Sequence, residues 1–540
     1  DYQNITLLSS QNPISRNQLR FNSLVDGFAT QSSNRQFAFN ATTSLNWREK
    51  FDKHTLGVSA YTEYFKAHLK SFGFTANGLD PRTFAPGDGS GFLGDVPDND
   101  ARVDDVRAQK LDAGLFSYFG TFDYDYDKKY GFTASVRRDA SYRFASTNRW
   151  GTFGSVSARW NISNEDFMQD TFVDDLKLRV SYGTSGNQRI TGNSYWSGAD
   201  LPFTFFAVNQ GYGNNDAIRL SQIGNSSLKW ETVNQFNVGV DLAFFNSRLR
   251  GSIDVYDKKT EDLFQDTPIS GINGQFNIDA NTGSLTNKGV DVQLNYDLIR
   301  QKDLNLTLNF VGNYNETALQ DLPSDDGEII GIGRNGGKIF EIFTIRYAGV
   351  NPATGNLLFL DIDDNLTENP NPDTDRVWTG KNSQPDFQGS FGFDLDYKGF
   401  FLQTQFNWEV GRDQFDNDYS RFTSPNTIGD FRHSNDVFRA WTPDNRITDI
   451  PSFNATNDRQ FGSNRFLVPM DYLRLRFVSF GYGFSQQQIK KAGLSSLRIF
   501  VNAENLFTLS KFRGFDVTSR FSGLEFPTPR TISLGLEIGI

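Results

Sequence analysis

Apolar and polar residues alternate along much of this chain. In the stretch QFNVGVDLAF, residues 235–244, every second residue from Phe236 to Phe244 is apolar, and the residues between them are polar or small. The final ten residues, TISLGLEIGI, repeat the pattern up to Ile540. Successive side chains of a β-strand point to opposite faces. The pattern therefore predicts strands that each have one apolar and one polar face.

This alternation predicts about 15 strands and almost no helix. The stretch SQQQIKKAGL, residues 485–494, predicts one short turn of helix. The predicted strands are residues 36–48, 54–68, 110–125, 130–142, 151–162, 176–184, 228–244, 249–262, 285–298, 304–316, 387–397, 400–412, 471–484, 496–507 and 530–540.

The connections between these strands alternate between short and long. The turns REKFDK, DKK, NSR, RQKD and KG are tight, whereas long links occupy residues 69–109, 185–227, 263–284, 317–386 and 413–470. Outer-membrane barrels have short turns on the periplasmic side and long loops outside. Aromatic residues such as Trp47, Tyr126 and Phe400 also crowd the short-turn ends, as in an interfacial girdle. We therefore predict an all-β fold, an antiparallel up-and-down transmembrane β-barrel that crosses the outer membrane many times.

In such a barrel the apolar faces contact lipid and the polar faces line the lumen. This assigns Val292 and Leu306 to lipid, and it assigns the polar residues Asp291, Gln293, Asn305 and Asn309 to the lumen. The strands at 36–48 and 530–540 would both run towards the periplasm, so they cannot be antiparallel neighbours. We therefore expect an odd number of strands before residue 36. We also expect residues 1–540 to form one domain, the C-terminal part of a larger barrel.

The composition agrees with apolar residues that alternate with polar ones. Aromatic residues make up 15% of the chain, including 52 Phe, yet the mean hydropathy is -0.50. No apolar run approaches the roughly 20 residues of a membrane helix. The net charge of -11 argues against nucleic acid as a partner, because phosphate binding requires a basic surface. The absence of cysteine excludes disulfides and thiolate metal sites.

Motifs for catalysis are weak or missing. GSGFLG (89–94) and GIGRNG (331–336) match G-x-G-x-x-G, but neither follows a buried parallel strand or opens a helix. No G-x-S-x-G elbow is present. The three histidines are scattered, and we expect His54 and His68 at lumen or girdle positions. We therefore predict that the protein is not an enzyme, and the sequence identifies no substrate-binding residue.

One acidic loop has the spacing of a calcium site. In LDIDDNLTENPNPDTD (360–375), the residues Asp361, Asp363 and Asn365 place oxygen atoms at alternate positions. Leu366 stands where a calcium loop has glycine. A Ca²⁺ ion at these three residues is one interpretation, and a solvated acidic loop without a cofactor is the other.

Several stretches, taken together, resemble the SusC/RagA family of TonB-dependent outer-membrane transporters of Bacteroidota. They include LKWETVNQFNVGVDLAFFNSRLRGSIDVYDKKTEDL (228–263), NTGSLTNKGVDVQLNY (281–296) and NAENLFTLSKFRGFD (502–516). The others are residues 148–168, 176–188, 347–356, 384–400, 471–484 and 526–540. They occur in the family's order.

The resemblance implies a barrel of the 22-stranded TonB-dependent transporter class with a plugged lumen. With about 15 strands here, about seven would lie elsewhere, an odd number. It also implies an N-terminal plug and a TonB-contacting segment that are not in this sequence. The function implied is import of oligosaccharides or peptides with a SusD-like surface lipoprotein, powered by the TonB–ExbB–ExbD system. The alternative is a structural or docking barrel in a secretion or surface-attachment complex.

Overall fold

The structure, a computed structural model, describes residues 2–9, 27–77, 105–190, 195–424, 429, 432–455, 457, 462–518 and 526–540. Strands are numbered β1–β28 along this described part. No helix in these ranges is long and apolar enough to cross a membrane.

Sixteen strands form one antiparallel sheet, in which each strand pairs with the next along the sheet. They are β1 (Tyr2–Ser9), β2 (Gly27–Phe51), β3 (His54–Asn77), β4 (Asp105–Tyr126), β5 (Tyr130–Ser141), β6 (Trp150–Asn161), β7 (Val173–Asn187), β10 (Glu231–Phe244), β11 (Leu249–Glu261), β14 (Ser284–Arg300), β15 (Leu304–Gln320), β22 (Phe387–Tyr397), β23 (Phe400–Val410), β26 (Tyr472–Gly483), β27 (Ser496–Ser510) and β28 (Thr531–Gly539). The order follows the chain, so the topology is up-and-down, as predicted.

The remaining strands lie in the long connections. They form the hairpins β8 (Phe205–Gln210) with β9 (Asp216–Gln222), β12 (Phe264–Pro268) with β13 (Asn277–Asn281), β16 (Glu328–Ile329) with β17 (Gly333–Arg334), and β24 (Asp413–Phe415) with β25 (Leu467–Pro469). A four-stranded sheet contains β18 (Glu341–Val350), β19 (Leu357–Leu360), β20 (Leu366–Thr367) and β21 (Arg376–Asn382).

Helices are short. In the described residues the α-helices are Asn417–Thr423 and Gln486–Ile489, and the second confirms the helical turn predicted in SQQQIKKAGL. The 3₁₀-helices are Ile162–Asn164, Asp166–Met168, Tyr212–Asn214, Gly271–Asn273, Asn435–Arg439, Asn464–Phe466 and Lys490–Ala492.

All fifteen predicted strands are present, and β1 is an additional one. Its sequence, YQNITLLS, places Leu7 beside Leu8 and so breaks the period of two. β1 pairs antiparallel with β2, which supplies a strand of the opposite direction before residue 36, as the orientation argument requires. β3 and β4 pair up to residues 75 and 105, so their connection is shorter than the predicted link at 69–109.

The tight turns lie on one side of the sheet and the long connections lie on the other. The turn between β22 and β23 contains only Lys398 and Gly399, with φ of 48° and 94°. Two-residue hairpins of this kind require positive φ at both positions, which glycine adopts without strain. The short sequence KG is therefore sufficient to reverse the chain.

An aromatic row marks the short-turn side of the sheet. The cross-strand register pairs Phe51 with His54, His54 with Tyr126, Tyr126 with Tyr130 and Tyr130 with Trp160. The centroids of successive rings among these five residues are 5.4, 5.0, 6.4 and 6.5 Å apart. Rings with polar edges are the usual residues at a membrane interface. The predicted crowding of aromatic residues at the short-turn ends is therefore present, and His54 is part of it.

The alternation separates the two faces of the sheet as predicted. Leu294, Tyr296, Leu308 and Phe310 line one apolar surface together with Phe391. Val292 and Leu306 lie two positions from Leu294 and Leu308, so they share this face, whereas Gln293 and Asn305 lie on the other.

The final strand has the same two-faced character. Ile532, Leu534, Leu536 and Ile538 are 70%, 77%, 60% and 50% exposed, so no protein in the described ranges covers this apolar face. β28 pairs with β27 along one edge, and within the described residues its other edge has no partner strand. Closure of the ring by a further strand stays a prediction.

We expect Val255→Arg to lower the free energy of unfolding by about 2–4 kcal/mol, because the substitution places a cation on the lipid face near the midplane. Val255 is 52% exposed and lies opposite Val238 and Val290. Ser252→Arg, on the polar face of the same strand, should change the free energy of unfolding by much less. Equilibrium unfolding of the two variants in lipid vesicles measures the difference, and equal losses would contradict the assignment of the faces.

Candidate functional site

The polar face of the sheet carries networks of paired charges. Arg179 on β7 donates to Asp241 on β10 at 2.8 Å and to Asp254 on β11 at 3.1 Å. Lys177 lies 3.4 Å from the same Asp241 carboxylate. These side chains are partly exposed, so they are reachable from the lumen. The network presents ionic groups to a passing solute without leaving an uncompensated charge.

A second network lies on β3, β4 and β5. The guanidinium of Arg137 donates to Glu63 at 2.9 Å, to Asp139 at 2.7 Å and to Ser117 at 2.9 Å. These groups line a cavity of about 200 Å³ together with Trp230. The donors and acceptors of this network lie at fixed positions on the wall of the cavity.

Amide side chains continue the polar face on β14, β15 and β22. Asn313 donates to Asp291 at 2.6 Å, and Asn309 donates to Asp394 at 2.6 Å. Tyr256 donates to the amide oxygen of Asn315 at 3.0 Å. The structure therefore confirms Asp291 and Asn309 as residues of the polar face. Amides and carboxylates can exchange these bonds for bonds to hydroxyl or peptide groups.

Loop residues pack against the outer end of the polar face. Phe144, Phe153, Leu228 and Trp230 form a buried apolar cluster there. Arg143 is 4% exposed and donates to the carbonyl of Ser197 at 3.0 Å, and burial lowers the pKa of its guanidinium. The sequence indicated a long loop here but not its inward packing, because these contacts join residues about 50 to 80 positions apart.

The long connections at 321–386 and 411–471 fold together into an outer subdomain. Its core contains Ile345, Val350, Leu357 and Phe359, with Trp441 packed against them. Asn457 is buried, accepts from the backbone N–H of Leu357 at 3.0 Å and donates to its carbonyl at 2.9 Å. A single side chain thus joins two connections that are 100 residues apart in sequence.

A carboxylate fixes the turn of the motif YAGVNPATGN (347–356). The carboxylate of Glu368 accepts hydrogen bonds from Asn351 at 2.6 Å, Thr354 at 2.5 Å and Asn356 at 2.8 Å. The hydrogen bond from Thr354, followed by those from the two amides, lowers the pKa of Glu368 despite its partial burial. The ionised form of Glu368 therefore stabilises this hairpin.

The residues of the predicted calcium site lie in a tight turn of the outer subdomain. One carboxylate oxygen of Asp361 accepts from the backbone N–H of Asp363 at 2.9 Å and of Asn365 at 2.8 Å. These bonds, chiefly that from Asn365, lower the pKa of Asp361. Within the described residues, no three His, Asp or Glu side chains are grouped so that they could hold a metal ion. Calcium binding by Asp361, Asp363 and Asn365 stays a prediction.

A further cavity, of about 400 Å³, opens beside the helix Asn417–Thr423. Tyr419 donates to Asp436 at 3.0 Å and accepts from Arg513 at 3.1 Å. Burial, with the bond to Asp436, raises the pKa of Tyr419. Sequence reasoning missed this site, because its residues come from two connections and each looks like an ordinary loop residue.

Below that cavity an ion pair anchors the last long connection. Arg474 on β26 lies 2.5 Å from Asp516, and each side chain is only 9% exposed. Burial opposes ionisation of Asp516, but hydrogen bonds from Thr528 and Thr518 hold its pKa well below the usual range. The conformation of the connection therefore depends on a carboxylate that stays charged at all ordinary pH values.

A family model and the curated relatives of this chain indicate the same family. The family model described as "TonB dependent receptor-like, beta-barrel" matches residues 2–359. TonB-dependent receptor P39 of Formosa agariphila is 29% identical over 489 residues, which cover 78% of this chain and 46% of that protein. TonB-dependent receptor SusC of Bacteroides thetaiotaomicron is 28% identical over 523 residues, which cover 90% of this chain and 50% of that protein. The chain thus spans about half the length of these curated relatives.

Solved structures show the same architecture. The RagAB peptide importer in its open-open state superposes with a TM-score of 0.84 at 25% identity, and the match covers 95% of this chain and 56% of that one. Its closed-closed state gives a TM-score of 0.83 over 95% and 57%.

We expect Glu368→Gln to destabilise the outer subdomain by about 1–3 kcal/mol, because charge-assisted hydrogen bonds to one carboxylate are lost. Hydrogen exchange of the β19 amides measures the effect. Asp373→Asn is the control, since Asp373 is an exposed carboxylate in the same connection. Unchanged exchange in Glu368→Gln, or an equal change in Asp373→Asn, would contradict the role assigned to Glu368.

The same carboxylate gives a pH dependence with a defined sign. Since folding lowers the pKa of Glu368 from its ordinary value of 4.5, its contribution is complete above that pH and is lost as the pH falls through the folded pKa. Protection of β19 should therefore decrease on acidification below about pH 4.5. The difference in β19 protection between the wild type and Glu368→Gln should become smaller in that pH range. A difference that does not change with pH would contradict the assignment.

Proposed function

The chain belongs to the TonB-dependent receptor-like β-barrel family of the outer membrane, and we propose that it forms much of the barrel of an importer for bulky nutrients, oligosaccharides or peptides. The role is transport and not catalysis. The family model matches residues 2–359, which include the first eleven of the sixteen strands of the large sheet, β1 to β15.

The observation that carries the proposal is the paired polar face. Arg179 with Asp241 and Asp254, and Asn309 with Asp394, offer many hydrogen-bonding groups and little uncompensated charge. A wall of this chemistry suits solutes that are polar and large, and both oligosaccharides and peptides fit. The RagAB structures, named as a peptide transporter and importer, support the peptide alternative by analogy.

We infer that a SusD-like surface lipoprotein rests on the outer subdomain and captures the solute. Phe438 and Ile447 are 86% and 94% exposed on the outer subdomain. These two side chains are the points at which we expect the lipoprotein to make apolar contact. Force for opening the path would come from the TonB–ExbB–ExbD system through parts of the protein outside this sequence.

The double variant Phe438→Ser/Ile447→Ser should release the lipoprotein from the purified full-length protein. Loss of one apolar hot spot weakens a complex by about 2 kcal/mol, or roughly 30-fold. Ile272→Ser is the matched control, because Ile272 is 87% exposed but lies on a different connection. Mass spectrometry of complexes isolated in mild detergent measures the bound partner. Equal retention in the double variant and the control would contradict docking at this surface.

Uptake distinguishes an importer from a structural barrel. A null strain complemented with the wild-type gene should take up labelled oligosaccharides or peptides, and the same strain without TonB should not. If the native protein carries no lipoprotein and uptake is the same with and without the gene, the importer proposal is wrong and the structural alternative replaces it.

A further inference from the structure

Three basic residues lie side by side on adjacent strands. The register pairs Arg35 on β2 with Lys70 on β3, and Lys70 with Lys110 on β4. We call Arg35, Lys70 and Lys110 the basic row. Directly opposite residues of an antiparallel pair have Cβ atoms about 5 Å apart, and like charges in such positions are destabilising. The row therefore has an electrostatic cost that an anion would remove.

The basic row lies on the lipid-facing side of the sheet. In β3 the same face carries Val58, Ala60 and Tyr64. The ring centroids of Tyr64 and Phe39 are 5.8 Å apart. Lys70 follows Tyr64 at an even spacing, so it points to this face, whereas the lumen-facing Glu63 has the opposite parity. All three residues of the row are exposed.

The height of the row corresponds to the outer headgroup layer. Lys70 is 16 residues beyond His54, and Arg35 and Lys110 are equally far from Phe51 and Tyr126 in the aromatic row. A rise of about 3.3 Å per residue and a tilt of about 45° place them about 37 Å above that row. The apolar band of an outer-membrane barrel is about 25 Å tall, so the basic row lies above hydrocarbon.

Within the described residues, the basic row and its neighbours carry an excess of positive charge. Asp112 shares the patch, but its carboxylate contacts the His68 ring, and Lys66 adds a further cation beside it. His68 itself lies on the outer face, above the apolar band, and its expected lumen or girdle position stays a prediction. Within the described ranges no salt bridge engages Arg35, Lys70 or Lys110.

Two lysines elsewhere on the outer face are paired with carboxylates. Lys288 lies 3.2 Å from Asp257, and Lys259 lies 2.9 Å from Glu261. These lysines belong to β14 and β11, away from the basic row. Because the chain as a whole has a net charge of -11, a local excess of positive charge at one height is not a consequence of composition.

We propose that the basic row binds the phosphate-bearing headgroup of an anionic glycolipid in the outer leaflet. Phosphate oxygens would accept hydrogen bonds from the guanidinium and the two ammonium groups, while Phe37, 64% exposed on the same face, contacts the lipid beside them. The lipid would fix this flank of the barrel in the membrane. The inference depends on the outer-membrane location and is independent of import.

The test is binding of bisphosphorylated lipid A to the full-length protein in detergent micelles. The variant Lys70→Gln/Lys110→Gln is compared with Lys259→Gln/Lys288→Gln, which removes two lysines from the same face. Each basic residue near an anionic surface contributes about five-fold in affinity, so the first variant should bind about 25-fold more weakly and the second should bind as wild type does. Wild type should bind dephosphorylated lipid A as weakly as the first variant binds lipid A.

Heat-modifiable migration provides an independent check that the variants fold. Because like charges are removed, barrel stability should be equal to or above that of the wild type. Equal affinities of both variants for lipid A would overturn the proposal. Competition by free inorganic phosphate at the concentration of lipid A would also overturn it, since the site would then recognise free phosphate.

Discussion

Backbone hydrogen bonding in a medium without water is the constraint on which this structure depends. Each unpaired N–H or C=O in hydrocarbon costs several kcal/mol, so a chain that crosses a membrane as strands must pair every one of them with a neighbour. The sixteen strands pair in chain order, each antiparallel to the next. Tight turns such as Lys398–Gly399 keep successive strands adjacent. Side chains are then free to differ between the two faces.

That freedom explains where apolar residues are buried. The sheet offers its apolar face to lipid and its polar face to the lumen, so it encloses no core of the kind found in a soluble protein. Burial occurs instead in the outer connections, around Phe359 and Ile345 in the outer subdomain and around Leu228 and Trp230 at the outer end of the polar face. The connections are therefore folded structures with their own stability, and Asn457 and Glu368 hold one of them together.

The large sheet could be predicted from sequence because its determinant, the period of two, is local. β1 was missed where Leu7 and Leu8 break that period. The outer subdomain could not be predicted, since its strands are as short as Leu366–Thr367 and its key contact joins Leu357 to Asn457. On the polar face, Asp291 and Asn309 followed from alternation, but the inclusion of Arg179 in a network over three strands depends on register, which the sequence pattern does not specify.

The central claim is that one face of the sheet contacts lipid and the other faces a water-filled lumen. Since the chain contains no cysteine, single cysteines introduced from Gln235 to Val238 on β10 can each carry a spin label as the chain's sole thiol. Collisional relaxation by oxygen, which partitions into lipid, and by a water-soluble nickel chelate measures the surroundings of each label. The account predicts oxygen access at Phe236 and Val238 and nickel access at Gln235 and Asn237. Equal access to the nickel chelate at all four positions would contradict it.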